Sequence, residues 1–425
     1  YIRSLQRRWV NGAKRIMKKL CILPFVNLSP RPDGLPKVCS DGMHQYVPQD
    51  INLHQDTVED FWNSKFMKEF RLTMINGKTH PHCEWCLNVE KSNGVSKRMA
   101  MNKQYLEKYK DRISEAEKNK GHLHSRPVLW EFRFSKKCNL ACLSCSPTNS
   151  TLIEKQHKKH YDKLTNFDKS MLDHALHDNT IIKKYKQNTI FLNQLWENIN
   201  EIEEIELHGG EPFHDKDCLD TLEQISVKGY SKNITLKVHS NMTVLNDEII
   251  NILNSFKYVK LKASIDAYGE KNNFMRWPSD WGDIESNMQL ADQKLVGEKS
   301  ISGTLSLFNC TSLDELHLWQ QNSFQSWFLH WHVAYLPKRL GVQLLSLEPR
   351  RIQVDKLKKV QHHSGLNKWN IDSIIPSILV DHDPDKSLVI EFVNYCKSIE
   401  KMRNQDILKI FPHLVELYDL YNKHN

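Results

Sequence analysis

The 425-residue sequence contains no uninterrupted apolar run near 18 residues, which excludes an ordinary membrane-spanning helix. Its 10 cysteines are too few for a disulfide scaffold of this length. There are no internal repeats and no low-complexity tracts. The segment 1–19 scatters Arg3, Arg7, Arg8, Lys14, Arg15, Lys18 and Lys19 among Ile2, Leu5, Trp9, Ile16 and Met17. It lacks the long apolar stretch and small-residue cleavage site of a secretion signal, so an amphipathic segment is expected, with a targeting peptide as the rival reading. The chain does not begin with Met, and the true N-terminus is expected upstream. Excess charge is also small: 59 basic against 51 acidic side chains leave +8. Lysines spread over solvated helical faces account for it, and no nucleic-acid groove is read from it. Clustered thiols without a secretion signal predict a reducing cytoplasm and metal ligation.

What is present is ordinary globular material, 40% hydrophobic and 26% charged, long enough for two or three domains. Residues 20–105 are irregular, with turns at Pro24, Pro30, Pro32, Gly34 and Pro36, and a short amphipathic helix around Phe61 and Trp62 capped by Asp56 or Thr57. Residues 106–126 are expected to form a linker helix. From 127 to 348, apolar runs alternate with helical stretches. The strands drawn are Val128–Phe134, Ile205–Leu207, Ile234–His239, Val259–Ile265, Gly303–Phe308 and a sixth near Val342–Leu347. Such alternation predicts a parallel α/β sheet, whose chemistry sits at the C-terminal strand ends. The stretch Thr151–Asn200 is read as two or three helices, and 349–425 as a helical C-terminal extension.

Polar sites follow the expected strands in turn. Cys138, Cys142 and Cys145 form C-x3-C-x2-C after the first, with no fourth cysteine nearby. Three thiolates can hold three irons of a 4Fe–4S cluster and leave the fourth open, whereas a structural zinc site wants four ligands. Gly209-Gly210-Glu211-Pro212 follows the second, Ser240-Asn241 the third, Asp266 the fourth and Asn309 the fifth. The two glycines allow close backbone approach, and Glu211 offers an anionic end suited to an ammonium group.

The cysteine spacing followed by G-G-E-P resembles the radical SAM enzymes. That resemblance implies a partial (β/α)6 barrel and a 4Fe–4S cluster on Cys138, Cys142 and Cys145, with S-adenosylmethionine (SAM) chelated at the open iron. It further implies one-electron cleavage of SAM to a 5′-deoxyadenosyl radical that abstracts hydrogen from a substrate, and a low-potential donor such as flavodoxin or ferredoxin. Gly209, Gly210, Glu211 and Pro212 match the motif that meets the SAM amine. Ser240 and Asn241 are similar to a strand-end T-N-G-T pattern with Met242 in place of glycine; Ser264 and Asp266 to S-I-D-G with Ala267 in place of glycine. Arg276 matches an arginine that pairs with the SAM carboxylate, and Asn309 would meet ribose or carboxylate. Ser144 stands where many members carry an aromatic residue, so adenine packing must come from elsewhere.

A second set, Cys21, Cys39, Cys83 and Cys86, has the spacing C-x12-G-x4-C, a gap, then C-x2-C. With Phe61-Trp62-Asn63-Ser64 it resembles the SPASM/twitch auxiliary-cluster domains, here preceding the barrel, which implies an auxiliary 4Fe–4S cluster. Zinc suits the same spacing. Cys218, Cys310 and Cys396 are expected in the core. His157-x2-His160 and His362-His363 are read as surface histidines, and Trp319, Trp327, Trp331 and Trp369 as core or interface. The expected function is a radical SAM enzyme acting on a peptide, a cofactor precursor or another small molecule. Its rivals are a nonenzymatic zinc-stabilised binding module on a degenerate barrel, and cluster-dependent methyl transfer, for which Cys310 and Cys396 are the weak carrier candidates.

Overall fold

In a computed structural model, residues 19–91, 95–184, 189–334, 336–361 and 368–424 are described. The expected amphipathic start and His362-His363 lie outside them, as does the side chain of Trp369. The chain divides into two compact units, one of Tyr1–Arg133, Asn179–Leu207 and Asn233–Thr235, the other of Phe134–Asp178, His208–Lys232 and Leu236–Asn425.

The first unit carries strands β1 (Asn27–Pro30), β2 (Pro36–Lys37), β3 (Leu129–Phe132) and β4 (Glu204–Leu207), in the order β2-β1-β3-β4. β2 runs antiparallel to β1, while β1, β3 and β4 are mutually parallel. Between β1 and β2 the chain reverses at Gly34, whose φ of +85° and 2.0 Å approach of a would-be Cβ to Asn52 Oδ1 admit only glycine. The expected helix is Val58–Trp62, capped by Thr57 in a reciprocal box with Asp60. The helix after it, Lys65–Ile75, buries Arg71 completely. Arg71 donates to Pro24 O at 2.8 Å and Gly121 O at 3.0 Å and lies 4.3 Å over Trp62. Burial lowers its pKa to about 9. Phe25, Phe61, Trp62, Phe70, Trp130 and Phe132 complete this core. The linker helix lies earlier than the expected 106–126, at Lys97–Lys118.

The second unit carries β5 (Thr235–Ser240, all but its first residue), β6 (Tyr258–Ser264), β7 (Glu298–Leu305) and β8 (Phe328–Val333), in the order β5-β6-β7-β8. The β6–β7 and β7–β8 ladders are parallel. Counted along the chain from β3 to β8, each strand is followed by helix, six steps in all, which agrees with the α/β reading. Two strands need correction. The sixth is Phe328–Val333; Val342–Leu344 is a 3-10 turn leading into the helix Leu347–Gln361. Leu-His-Trp-His-Val alternates apolar with polar residues at the strand period, but the denser apolar run at Val342–Leu347 outweighs it in sequence. The fifth starts earlier, at Glu298, and ends before Ser306 because Asn309 turns the chain there, accepting from Ser306 N–H at 2.8 Å.

Beyond β8 the chain is helical, as expected, with Lys368–Ile378, Lys386–Arg403, Ile407–Ile410 and Val415–His424. These helices share one apolar core with Leu305, Leu307, Phe308, Phe392 and Phe411, and Cys310 and Cys396 are buried in it. Arg350, fully buried, ties it together by donating to the carbonyls of Leu345, Ile378 and Val380. Among the described residues no helix is long and apolar enough to cross a membrane.

Candidate functional site

All the residues assigned to the first cysteine set and its cofactor fall in the second unit. Cys138, Cys142 and Cys145 occupy an irregular loop running from residue 133 to Asn149, before the helix Thr151–Lys159. Thr151 stabilises the loop, accepting from Cys138 N–H and donating to Cys138 O, both at 3.2 Å. Ser150 caps the helix and donates to Leu140 O at 2.6 Å. Leu140 N–H points at Cys138 Sγ, 3.5 Å away, a backbone donor of the kind that tunes cluster potential.

The two motifs meet. Glu211 N–H donates to Lys137 O at 2.8 Å, and Gly210 N–H to Asn149 O at 3.2 Å. Gly209 and Gly210 have φ of +77° and +62°. A Cβ on Gly210 would stand 2.6 Å from Lys137 O and 3.0 Å from Ser135 O. The glycine pair is therefore what lets G-G-E-P seat against the cysteine loop. Pro212 opens a 3-10 turn capped by Glu211.

Glu211 is 2% exposed. Its carboxylate accepts from Asn241 N–H at 2.6 Å, Ser240 Oγ at 2.9 Å and Phe213 N–H at 3.2 Å. Burial pushes its pKa up to about 7 against these donors, which favour the ionised form. About four acceptor positions exist on a carboxylate, so roughly one remains for a ligand. Asn241 continues the network: its Nδ2 donates to Asn139 Oδ1 at 3.0 Å, inside the cysteine loop, and Asn139 Nδ2 donates to Thr243 Oγ1 at 2.8 Å. Met242 takes φ +60°, the left-handed conformation that the missing glycine would have supplied, with its side chain wholly buried.

At the ends of β6 and β7, Asp266 and Asn309 are both 1% exposed. Asn309 Nδ2 donates to Asp266 O at 2.7 Å and Thr304 O at 2.9 Å; Asp266 Oδ1 accepts from Thr304 N–H at 2.8 Å. Asp266 Oδ2 lies 2.9 Å from Arg276 Nε, and Arg276 Nη1 reaches Cys142 Sγ at 3.9 Å. Burial opposes the Arg276 charge, but Asp266 and Cys142 outweigh it and raise its pKa. The same burial raises the Cys142 thiol, while Arg276 favours its thiolate. Cys138 is pushed up to about 11, chiefly by burial. Ser264, at the end of β6, is half-buried beside this group.

The second cysteine set falls wholly in the first unit. Cys21 and Cys86 are buried, Cys39 and Cys83 half-buried. Burial raises Cys21, and the charges of Cys83 and Cys86 raise it further. Burial likewise raises Cys39 and takes Cys83 to about 12. Asn102 brackets Cys21, donating to Leu20 O at 2.7 Å and accepting from Ile22 N–H at 2.9 Å, and Arg98 Nη1 adds a bond to Leu20 O at 3.0 Å. Sequence reasoning missed Asn102 and Arg98; polar residues at helical spacing gave no sign of tertiary bonds to the loops.

Among the described residues, no three or more His, Cys, Asp or Glu side chains are already gathered into metal-holding positions. The donor chemistry nonetheless fits. Each cysteine set lies within one unit, and its members perturb one another's ionisation; binding removes the thiol protons. Cys218 is buried, and His157 is buried with its neighbour Asp168 opposing the burial that lowers its pKa, so it is a core rather than a surface residue. Trp319 and Trp327 are core, as expected.

No protein-family model and no curated protein matches the sequence. Among solved structures, the chain is similar to native anSMEcpe with bound AdoMet, at 14% identity and a TM-score of 0.38, over 57% of this chain and 62% of that one. It is also similar to SuiB of Streptococcus suis bound to S-adenosylmethionine, at 13% identity and a TM-score of 0.36, over 72% and 61%. SuiB bound to the precursor peptide SuiA gives 12% identity and a TM-score of 0.35, over 80% and 72%. The chain thus spans less than two thirds of the length of the first two structures.

Proposed function

We propose that the protein is a radical SAM enzyme with its cofactor site in the second unit and an auxiliary metal site in the first. The observation that carries the reading is the seating of G-G-E-P on the cysteine loop, through Glu211 N–H to Lys137 O and a Gly210 that has no room for a Cβ. The parallel pairing of β3 with β4 sets the two loops side by side, and the glycine pair lets them close on each other tightly enough to serve one ligand.

Cys138, Cys142 and Cys145 would hold a 4Fe–4S cluster, leaving one iron without a protein ligand. When bound, that cluster supplies one electron to the SAM sulfonium, splitting it into methionine and a 5′-deoxyadenosyl radical. The chain's own residues bind and orient. Glu211 offers its remaining acceptor position to the SAM amine. Ser240 and Asn241 hold that carboxylate in place. Arg276 is anchored by Asp266 and presents the rest of its guanidinium beside Cys142, where a carboxylate would find it. Asn309 fixes the β6 and β7 ends that line the site, with Ser264. Cys21, Cys39, Cys83 and Cys86 would hold an auxiliary cluster or a zinc ion in a twitch-like arrangement. The substrate we place among peptides and small molecules, and a flavodoxin or ferredoxin would supply the electron in the cytoplasm.

Anaerobic reconstitution with SAM and dithionite tests the reading. Methionine and 5′-deoxyadenosine should appear, and a Cys142→Ala variant should form neither. Zinc alone, with no iron or acid-labile sulfide in anaerobically purified protein, would instead establish the metal-stabilised binding module.

A further inference from the structure

The residues between the cysteines are held as firmly as the cysteines themselves. Ala141 N–H donates to Trp277 O at 2.6 Å and Leu143 N–H to Met275 O at 2.8 Å. The carbonyls of the same two residues are taken by the C-terminal extension. Arg403 Nη2, at the end of the helix Lys386–Arg403, donates to Ala141 O at 2.6 Å, and Tyr395 Oη donates to Leu143 O at 3.1 Å. Arg403 Nη1 donates to Phe274 O at 3.2 Å, and the guanidinium lies 5.3 Å over the Trp277 ring. One planar fork therefore binds both segments of the clamp, a task that a lysine point charge performs less well.

Placing a guanidinium here is costly. Burial lowers the Arg403 pKa to about 10, against the pull of Tyr395 and Cys142, and its Nε is buried without a hydrogen-bond partner. A packing role alone is served more cheaply by an apolar side chain.

We infer that Arg403 is a positioning residue of the cysteine loop, assisted by Tyr395: it fixes the backbone on both sides of Cys142 and sets a permanent positive charge beside that ligand. The C-terminal extension is then part of the cofactor site. The mechanical half stands on the hydrogen bonds alone; the electrostatic half rests on the proposed cluster at Cys138, Cys142 and Cys145. A fixed cation beside the cluster favours its reduced, more negative state and so raises its potential.

The test uses the full chain as Arg403→Met, Arg403→Lys and Tyr395→Phe. In metal-free protein, hydrogen exchange at Ala141 and Leu143 is expected to quicken at least tenfold in R403M and by less in Y395F, with the β6 and β7 amides unchanged. In reconstituted protein, R403M is expected to lower the cluster's midpoint potential and change its reduced EPR spectrum at unchanged iron content. R403K, which keeps the charge, is expected to restore the potential and only part of the protection. Unchanged exchange in both R403M and Y395F overturns the clamp. Quickened exchange with a wild-type potential overturns the electrostatic half. Should R403M fail to fold, R403K and Y395F decide by the same exchange measurement. If the wild type takes up no cluster, the radical SAM reading falls, and exchange still decides the clamp.

Discussion

Replacing Glu211 with glutamine separates the cost of this buried carboxyl from its use. In the folded chain its pKa is pushed up to about 7 from the usual 4.5. Below pH 4.5 the carboxyl is protonated in both folded and unfolded chains and contributes no difference. Between 4.5 and 7 the unfolded chain releases the proton while the folded chain keeps it. Stability therefore falls as pH rises through this window, and above 7 the folded chain carries the full penalty. At 1.36 kcal/mol per pH unit this amounts to about 3 kcal/mol. Glutamine has no such term. It does lose one bond: an amide oxygen at the Oε1 position keeps the Ser240 and Phe213 donors, but its NH2 then faces Asn241 N–H, at a cost of ~1–3 kcal/mol that does not vary with pH. The two effects are separable because only one has a pH slope. Urea unfolding of both proteins from pH 5 to 8, read by tryptophan fluorescence, should show the variant gaining about 2–3 kcal/mol on the wild type across the range. On the proposed function SAM binding uses the carboxylate, so it should strengthen in the wild type between pH 6 and 8 and be weak and flat in the variant. Parallel stability curves, or an infrared carboxyl titration with its midpoint near 4.5, would refute the reasoning.

Other perturbations follow from the same contacts. Gly210→Ala sets a Cβ against Lys137 O and a side chain at φ +62°, so at least ~2 kcal/mol should be lost together with iron binding at the second-unit cysteines, read by urea midpoint and iron assay. Met242→Gly relieves ~1–2 kcal/mol of left-handed strain but empties a fully buried site worth ~2–5 kcal/mol, so a net loss is expected; a stabilised variant would contradict the packing argument. Asn102→Ala unhooks Leu20 and Ile22 from either side of Cys21, and should cost ~1–3 kcal/mol and deplete metal from the first unit while SAM cleavage in short assays is retained. Cys310→Ala should lower stability without abolishing SAM cleavage; lost cleavage would revive the methyl-carrier reading.

The α/β class, the helical extension and the short helix capped by Thr57 were all legible, because apolar period and capping residues are local signals. The strand Phe328–Val333 was not. Leu-His-Trp-His-Val alternates at the strand period, but the denser apolar stretch near Val342 outweighs it in sequence, although that stretch serves as a buried 3-10 turn. Met242 and Ala267 read as departures from glycine patterns. The fold resolves them differently: Met242 accepts the left-handed backbone, and Ala267, 1% exposed, has no positive φ.

Residue chemistry at short spacing was written in the chain: which thiols lie close in sequence, which glycines must lie against backbone, and which carboxyl follows them. Only the tertiary structure decided what that carboxyl touches, that Asp266 anchors Arg276 beside Cys142, and that Arg403, 261 positions after Cys142, reaches the cysteine loop. The physical reason is range. Dihedral preference and apolar period act over a few residues, whereas a hydrogen bond between Arg403 and Ala141 depends on how the whole second unit packs, and no local pattern in either segment encodes the other.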